Sequence, residues 1–250
     1  MQYWSRARET SALGVRRWRE LRKLLDEKRK YAEVSRTLHA DASRLVESHF
    51  SWWSSKDHVN YPIMKLAVSL LNEEPSLIVE TGTSAWGTDS TRLWDSYIRT
   101  FGGEFWSIDI SQQPSQRLKN QVCCQTHLEI GDSKIWLKEF AVKTAGSHVD
   151  LAYLDSFDLD VLNPGPAEEH GLQEWNALRR VLHAGSLVLI DDTPASMRWF
   201  PPETHGDVRR FIESTGRLPG KGSLIFREVQ LGTVPAEVIS HEYSLLLRMK

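Results

Sequence analysis

Short apolar runs alternate with amphipathic stretches along most of the chain after residue 61. Runs of five or six mostly apolar residues predict strands, and apolar residues at every third or fourth position predict helices. The predicted strands are 77–81, 104–108, 126–130, 149–154 and 186–190. The predicted helices are 62–72, 90–100, 114–121, 133–143, 167–183 and 204–214. This alternation predicts an α/β fold built on a doubly wound, mostly parallel sheet.

The end of the chain carries a different pattern. Two further apolar runs, at 223–231 and 242–249, are joined by a short connection that contains Gly and Pro. Short connections suit antiparallel neighbours, whereas parallel neighbours need a longer crossover. We therefore expect a C-terminal antiparallel hairpin that completes a sheet of seven strands.

The beginning of the chain is charged and helical in pattern. From about residue 12 to 49 apolar residues recur at helical spacing, with no Gly or Pro after Gly14. This predicts one or two amphipathic helices. We divide the chain into an N-terminal helical extension, 1–55, and a main domain, 56–250. The extension packs on the main domain, covers a pocket as a lid, or joins two copies in a homodimer, and the sequence leaves these uses open.

Composition narrows the class of protein. The 250 residues are 40% hydrophobic and 26% charged, with a formal net charge of −2. This balance is typical of a globular protein and does not indicate a basic nucleic-acid binder. The sequence contains no apolar run of the roughly 18 residues that a membrane span needs, and its N-terminus lacks an apolar signal core. We expect a cytoplasmic protein without nucleic-acid or membrane partners.

The segment 77–91 reads LIVETGTSAWGTDST and carries the clearest local signal. It predicts a strand, a loop with two glycines and the first turn of a helix. Glycines let the backbone approach a ligand closely, and a helix N-terminus offers unpaired N–H groups. This arrangement is typical of a site for a nucleotide-derived cofactor, and it makes Gly82, Thr83, Ser84 and Ser90 candidate binding residues.

Glu80, at the end of that strand, restricts the cofactor class. A carboxylate repels a pyrophosphate and attracts a ligand that carries an ammonium and a sulfonium. The two glycines also fail to match the G-x-G-x-x-G pattern of NAD-binding proteins. Both observations favour S-adenosyl-L-methionine over NAD.

Polar residues follow the next two predicted strands. Asp109 ends the second strand, where a carboxylate commonly accepts hydrogen bonds from both hydroxyls of a ribose. Gly131, Asp132 and Ser133 follow the third strand, where they can flank an adenine ring. The alternative for Asp109, Asp132 and Ser133 is to cap the helices that follow.

The strand ends VETGTS, FWSID, GDS, AYLDS and LVLIDD resemble those of class I S-adenosylmethionine-dependent methyltransferases. The resemblance covers about residues 62–250. It implies a Rossmann-like fold and S-adenosyl-L-methionine as cofactor, held by Glu80, Gly82, Asp109 and Asp155 among others.

Three acids make the resemblance more specific. Asp155, Asp191 and Asp192 are similar to the metal site of the catechol-type O-methyltransferases. Three carboxylates at neighbouring strand ends repel one another strongly unless a hard cation such as Mg²⁺ holds them together. We therefore expect a divalent metal that lowers the pKa of a substrate hydroxyl. The alternative is that Asp155 orients the substrate while Asp191 and Asp192 cap a loop.

The sequence departs from the catechol type three residues beyond Asp155, where that family carries a lysine and this chain has Asp158. Asp158 and His170 are therefore the candidates for a general base. The plainer alternatives are a solvated loop acid for Asp158 and a surface or capping histidine for His170. Lys221, between two glycines, is a cationic spot that contacts an anionic group of the substrate or belongs to a hairpin loop.

The leading hypothesis is metal-assisted O-methylation of a small-molecule hydroxyl. The sequence leaves open whether the acceptor is a sugar, a phenol, a peptide-derived intermediate or a small natural product. The alternatives are a metal-independent O- or N-methyltransferase and a non-catalytic scaffold that binds S-adenosylmethionine.

Overall fold

The computed structural model of the protein describes residues 41–84, 87–144 and 148–250. The helices within these ranges are α1 (Ala42–Trp52), α2 (Tyr61–Leu70), α3 (Ser90–Phe101), α4 (Gln112–Leu118), α5 (Ser133–Lys143), α6 (Gly165–Leu178), α7 (His205–Thr215) and α8 (Ser223–Gln230). The strands are β1 (Ser76–Thr81), β2 (Gly103–Asp109), β3 (Thr126–Ile130), β4 (Val149–Leu154), β5 (Leu182–Ile190), β6 (Ala236–His241) and β7 (Leu245–Met249).

The seven strands form one sheet in the order β3-β2-β1-β4-β5-β7-β6. β1 pairs in parallel with β2 on one side and with β4 on the other. β7 runs antiparallel to both β5 and β6. These pairings confirm the predicted mostly parallel sheet with a C-terminal antiparallel hairpin. Because β1 to β5 are parallel, their carboxyl ends meet at one edge of the sheet.

The central strands β1 and β4 are mostly apolar because side chains on both faces of the sheet are covered. Ala152 of β4 belongs to a buried cluster with Trp175 of α6. The next residue, Tyr153, points to the opposite face, where its ring lies 6.1 Å from that of Trp94 in α3. Helices on the two faces thus bury successive residues of the same strand.

The prediction of a strand at 223–231 is wrong, since Ser223–Gln230 forms α8. Ile225, Phe226 and Val229 pack against the main core, and their spacing is that of one helix face. The partner of β7 in the hairpin is β6, which begins in the connection that contains Gly and Pro. Similarly, β5 begins at Leu182, so the helix predicted to reach residue 183 ends earlier, at Leu178.

The first described helix, α1, packs against α2 and α3 and belongs to the same compact unit as the sheet. Residues 1–40 lie outside the described residues, so the helical extension and its use as a lid or dimer contact stay predictions. Among the described residues, every helix is too short or too polar to cross a membrane.

The core should respond strongly to a cavity in β7. Leu247 is fully buried between β5 and β6, and Leu247→Ala should lower the free energy of unfolding by about 2 to 5 kcal/mol, because the contacts around the lost methyl groups are not replaced. Leu231→Ala removes the same atoms from a side chain that is 67% exposed and should change stability by less than about 0.5 kcal/mol. Urea denaturation measures both. Equal losses would contradict this assignment of the core.

Candidate active site

The loop that follows β1 passes directly over the end of β4. Gly82 has a φ of +89°, and a Cβ at this position would lie 2.2 Å from the backbone oxygen of Asp155. Glycine is therefore required both by the backbone conformation and by the available space. The Gly82 N–H donates to the backbone oxygen of Ile108 in β2 at 2.8 Å, which fixes the loop against a second strand.

Glu80 lies fully buried beneath this loop. Its Oε1 accepts a hydrogen bond from Ser90 Oγ at 2.6 Å, and its Oε2 accepts from Thr91 Oγ1 at 2.5 Å and Ser107 Oγ at 2.6 Å. The carboxyl group thus ties the first turn of α3 and the strand β2 to the end of β1. Glu80 and Ser90, both predicted as cofactor contacts, lie below the loop and are bonded to each other.

Asp109 ends β2 at the junction of two cavities. Its Oδ2 accepts from the Thr83 N–H at 2.9 Å and its Oδ1 from the Ser111 N–H at 2.6 Å. Each oxygen keeps a second lone pair, so the carboxylate can accept further hydrogen bonds from a ligand. Ser111, rather than Asp109, caps α4, so the capping alternative does not apply to Asp109, and its ribose contact stays a prediction.

The two cavities share Gly82, Asp109 and Ser156. The smaller one has a volume of about 230 Å³ and extends toward α5. Asp132 and Ser133, both predicted as cofactor contacts, line it. Asp132 also caps α5, since its side chain accepts a hydrogen bond from the Lys134 N–H at 2.9 Å. The same residue therefore caps the helix and lines the cavity.

Gly131 lies beside this smaller cavity. Its N–H donates to the backbone oxygen of Asp109 at 2.9 Å, which joins the ends of β2 and β3. A Cβ at Gly131 would make ordinary van der Waals contact with Ile108 at 3.8 Å. Gly131 thus joins two strand ends, but it is not among the residues that line either cavity.

The larger cavity has a volume of about 500 Å³ and is strongly acidic. An acid at the end of β2 and acids in the segments that follow β4 and β5 meet there. Its lining includes Thr83, Ser84, Asp109, Asp155, Asp158, Asp191 and Asp192, together with His58, Asn60 and Tyr243. The parallel sheet therefore brings together the three acids predicted to bind a metal.

Asp191 is surrounded by neutral donors. Asn60 Nδ2 lies 2.9 Å from each of its carboxylate oxygens, and Ser244 Oγ lies 2.7 Å from Oδ1. The hydroxyl of Tyr153 lies 3.2 Å from Asp191 Oδ2 and 2.9 Å from Asp155 Oδ2, so it can donate its single proton to one of them at a time. These contacts hold Asp191 in place without a positive charge.

Asp155 and Asp192 share a buried lysine. Lys221 Nζ lies 2.9 Å from Asp155 Oδ1 and 3.2 Å from Asp192 Oδ2. Burial raises the pKa of Asp155 well above its ordinary value, with the charge of Asp191 adding to the effect and Lys221 opposing it. The surrounding carboxylates raise the pKa of Lys221 against the effect of burial, so its ammonium stays charged.

The arrangement of these three carboxylates does not fit a divalent metal ion. Mg²⁺ requires near-octahedral coordination by oxygen atoms, whereas the oxygens of Asp155, Asp191 and Asp192 point at Lys221 and at neutral donors. Among the described residues, no group of three or more His, Cys, Asp or Glu side chains has a geometry suited to a metal.

No protein-family model matches the sequence, and no curated protein sequence matches it. Among solved structures, the chain is similar to MycE, a methyltransferase from the mycinamycin biosynthetic pathway in complex with Mg, SAH (S-adenosylhomocysteine) and mycinamycin VI. The identity is 15%, the TM-score is 0.57, and the match covers 84% of this chain and 54% of that one. The chain thus spans about half the length of MycE.

The chain is also similar to CalS11, a calicheamicin methyltransferase, with 14% identity, a TM-score of 0.53 and coverage of 89% of this chain and 92% of that one. A second CalS11 structure, of the apo protein, is described as a TDP-rhamnose 3'-O-methyltransferase and matches with 16% identity and a TM-score of 0.53. The chain has the class I methyltransferase fold. In that methyltransferase fold, the described cavities lie at the carboxyl edge of the sheet.

The two candidate bases fall in different parts of the methyltransferase fold. Asp158 lines the larger, acidic cavity, whereas His170 lines the smaller one. His170 Nε2 lies 2.9 Å from Ser156 Oγ, 3.1 Å from Ser133 Oγ and 3.3 Å from Glu174 Oε1. These contacts make His170 a link between the loop after β4, α5 and α6.

The sequence patterns did not reveal several residues that line the acidic cavity or contact its acids. Asn60 lies before α2, and Tyr243 and Ser244 lie in the turn between β6 and β7, so none of the three follows a parallel strand. Tyr153 could have been found, since it precedes Asp155 by two residues and strand residues two apart share a face. Lys221 is recognisable in the sequence as a cationic residue, but its partners Asp155 and Asp192 are far away in the sequence.

Glu80 should make stability depend on pH. Burial raises its pKa from 4.5 to about 7, although the three hydroxyl donors favour the ionised form. The folded protein therefore holds a proton that the unfolded chain loses above pH 4.5, so this group lowers the free energy of unfolding as pH rises from about 4.5 to 7. The full effect is about 3 kcal/mol, since a difference of one pKa unit between the folded and unfolded states corresponds to about 1.4 kcal/mol.

Glu80→Gln, which stays neutral, should remove that part of the pH dependence, and denaturation at several pH values between 4 and 8 measures it. Glu139→Gln, at a largely exposed site of α5, controls for the loss of one carboxyl group. A wild-type profile that runs parallel to that of Glu80→Gln would contradict the raised pKa of Glu80.

Proposed function

We propose that the chain is an S-adenosylmethionine-dependent methyltransferase that acts on a hydroxyl group of a small molecule. The observation that carries the proposal is the pair of adjoining cavities, with Asp109 in the lining of both and carboxylates around the larger one. A ligand that extends through both would have its nucleoside in the smaller cavity and a positively charged end among the acids. S-adenosylmethionine has these two parts.

The chain's own residues fit that cofactor. Asp109 would accept hydrogen bonds from the ribose hydroxyls, and Asp132 and Ser133 would flank the adenine. Gly82, Thr83, Ser84 and Asp155 would lie near the methionine end. The absence of a side chain at Gly82 leaves the backbone open to close approach. When bound, S-adenosylmethionine supplies an electrophilic methyl group.

The chemistry left to the protein is to orient the acceptor, exclude water and take up a proton. Asp158 lines the cavity that would receive the acceptor, so we assign it the role of general base. His170 lines the other cavity and would instead orient Ser133 and Ser156. Divalent-metal assistance, which the sequence also predicted, is not part of this proposal because Lys221 contacts Asp155 and Asp192 and neutral donors surround Asp191.

The acceptor class rests on the size and character of the larger cavity. A volume of about 500 Å³ suits a small molecule, and its many polar groups suit a hydroxyl-rich one. MycE was solved with mycinamycin VI, and CalS11 is described as acting on TDP-rhamnose. We therefore propose a sugar-containing or phenolic small molecule as the acceptor.

Cofactor binding tests the first half of the proposal. Calorimetry of the full chain should show binding of S-adenosylhomocysteine and none of NAD. Asp109→Ala should weaken S-adenosylhomocysteine binding by about tenfold or more, because hydrogen bonds to a charged acceptor are lost. Asp207→Ala, on the outer helix α7, is the matched control. Equal affinity for both variants, or preference for NAD, would contradict the assigned cofactor site.

Methyl transfer tests the second half. S-adenosylhomocysteine should form from S-adenosylmethionine with at least one acceptor among TDP-rhamnose, mycinamycin VI and catechol. With that acceptor, Asp158→Asn should lower kcat by roughly 10²-fold or more, with cofactor affinity retained, because a proton acceptor is lost. Asp160→Asn, two residues away, is the control. Cofactor binding without transfer to any acceptor would instead favour a non-catalytic scaffold.

A further inference from the structure

We infer that Lys221 is the built-in cation of the acidic cavity, where it holds Asp155 and Asp192 together in place of a divalent metal ion. The part of this inference that concerns catalysis rests on the proposed methyl transfer. The part that concerns metal binding stands on the geometry alone. The inference explains how three carboxylates can meet at one edge of the sheet.

The position of the ammonium group is the first argument. Lys221 Nζ contacts carboxylates from the ends of two adjacent strands, Asp155 after β4 and Asp192 after β5, at 2.9 and 3.2 Å. The lysine is only 4% exposed. Buried lysines need charged partners, and buried carboxylates need cations or several donors. The contact between Lys221 and the two carboxylates supplies the lysine with charged partners and the carboxylates with a cation.

The loop that carries Lys221 is built to dock at this place. A Cβ at Gly171 would lie 2.5 Å from the backbone oxygen of Lys221, one at Gly220 would lie 3.1 Å from that of Asp192, and one at Gly222 would lie 2.8 Å from Thr193 Oγ1. These three glycines let the loop lie directly on the end of β5 and on α6.

Backbone hydrogen bonds fix the same loop. The Lys221 N–H donates to the backbone oxygen of Asp192 at 3.0 Å, and the Gly222 N–H donates to Thr193 Oγ1 at 2.9 Å. The base of the lysine is thus held on both sides by the residues after β5. A flexible surface lysine that folded inward by chance would lack this support.

The remaining carboxylate oxygens are also occupied. The Tyr153 hydroxyl lies 2.9 Å from Asp155 Oδ2, and Tyr243 donates to Asp192 Oδ1 at 2.5 Å. Asn60 Nδ2 lies 2.9 Å from both oxygens of Asp191, and Ser244 Oγ lies 2.7 Å from Oδ1. Each of the six oxygens therefore has a donor within 3.2 Å. A divalent ion could bind only by displacing the ammonium and turning several of these groups away.

This arrangement makes Lys221 a positioning residue. Its ammonium lies behind Asp155 and Asp192, while these two carboxylates face the larger cavity. A fixed ammonium neutralises one carboxylate charge, whereas a divalent ion would neutralise two. The cavity therefore keeps more negative charge than a metal-loaded one would, and negative charge favours a sulfonium cofactor.

Metal titration of the full chain tests the inference without any activity assay. Titration with Mn²⁺, followed by electron paramagnetic resonance, should show no stoichiometric binding to the wild-type protein. Lys221→Met removes the charge at similar size and should create a site that binds Mn²⁺ at least about tenfold more tightly, because three carboxylates then lack their cation. Lys221→Arg keeps the charge and should bind as weakly as wild type.

Three further variants locate any binding that occurs. Lys65→Met removes a half-exposed lysine paired with Glu47 and should leave the titration unchanged. Adding Asp191→Asn and Asp192→Asn to Lys221→Met should abolish the new site. The inference would be overturned if the wild-type protein bound Mn²⁺ stoichiometrically and the Asp192→Asn variant did not. This comparison does not depend on the folding of any lysine variant.

The same protein separates this inference from the proposed function. Methyl transfer that persists in excess chelator supports both. Transfer that requires added Mg²⁺ overturns the role of Lys221 but leaves the methyltransferase assignment intact. A protein that binds neither Mn²⁺ nor S-adenosylhomocysteine supports the buried cation and contradicts the proposed function.

Discussion

Parallel strands that end at one edge of a sheet bring the residues after them into contact, and here those residues are acids. Asp155 and Asp191 are both largely buried, so their mutual repulsion has to be balanced within the protein. Asn60, Ser244 and Lys221 supply the balance from three separate parts of the chain. The acidic edge therefore also determines how the segment before α2, the β6–β7 turn and the loop before α8 lie on the sheet.

The acidic edge of the sheet also depends on close approach between backbone segments. Gly82 brings the loop after β1 onto the end of β4, and Gly222 brings the lysine loop onto the end of β5. Below the first loop, Glu80 binds three hydroxyl groups and holds it to α3 and β2. The loops that border the cavities are thus held against the strand ends by close backbone contacts and by the hydrogen bonds of Glu80.

The sequence was sufficient for most of the fold, because buried parallel strands are short apolar runs and each ends in a recognisable polar residue. The prediction failed at 223–230, where Ile225 and Phe226 suggested a strand although the spacing to Val229 is helical. The acids of the site were found for the same reason as the strands. Their partners were not, because Lys221 and Asn60 reach the site through tertiary packing that no local pattern records.

The cation of the acidic edge is carried by a connecting loop, while the acids follow strands of the sheet. Strand residues are constrained by packing on both faces, but residue 221 is constrained mainly by its own loop and its two carboxylate partners. The charge of the pocket and the architecture of the sheet are therefore separable properties of this protein. A single substitution in the loop changes the charge beside the pocket without replacing any residue of a strand.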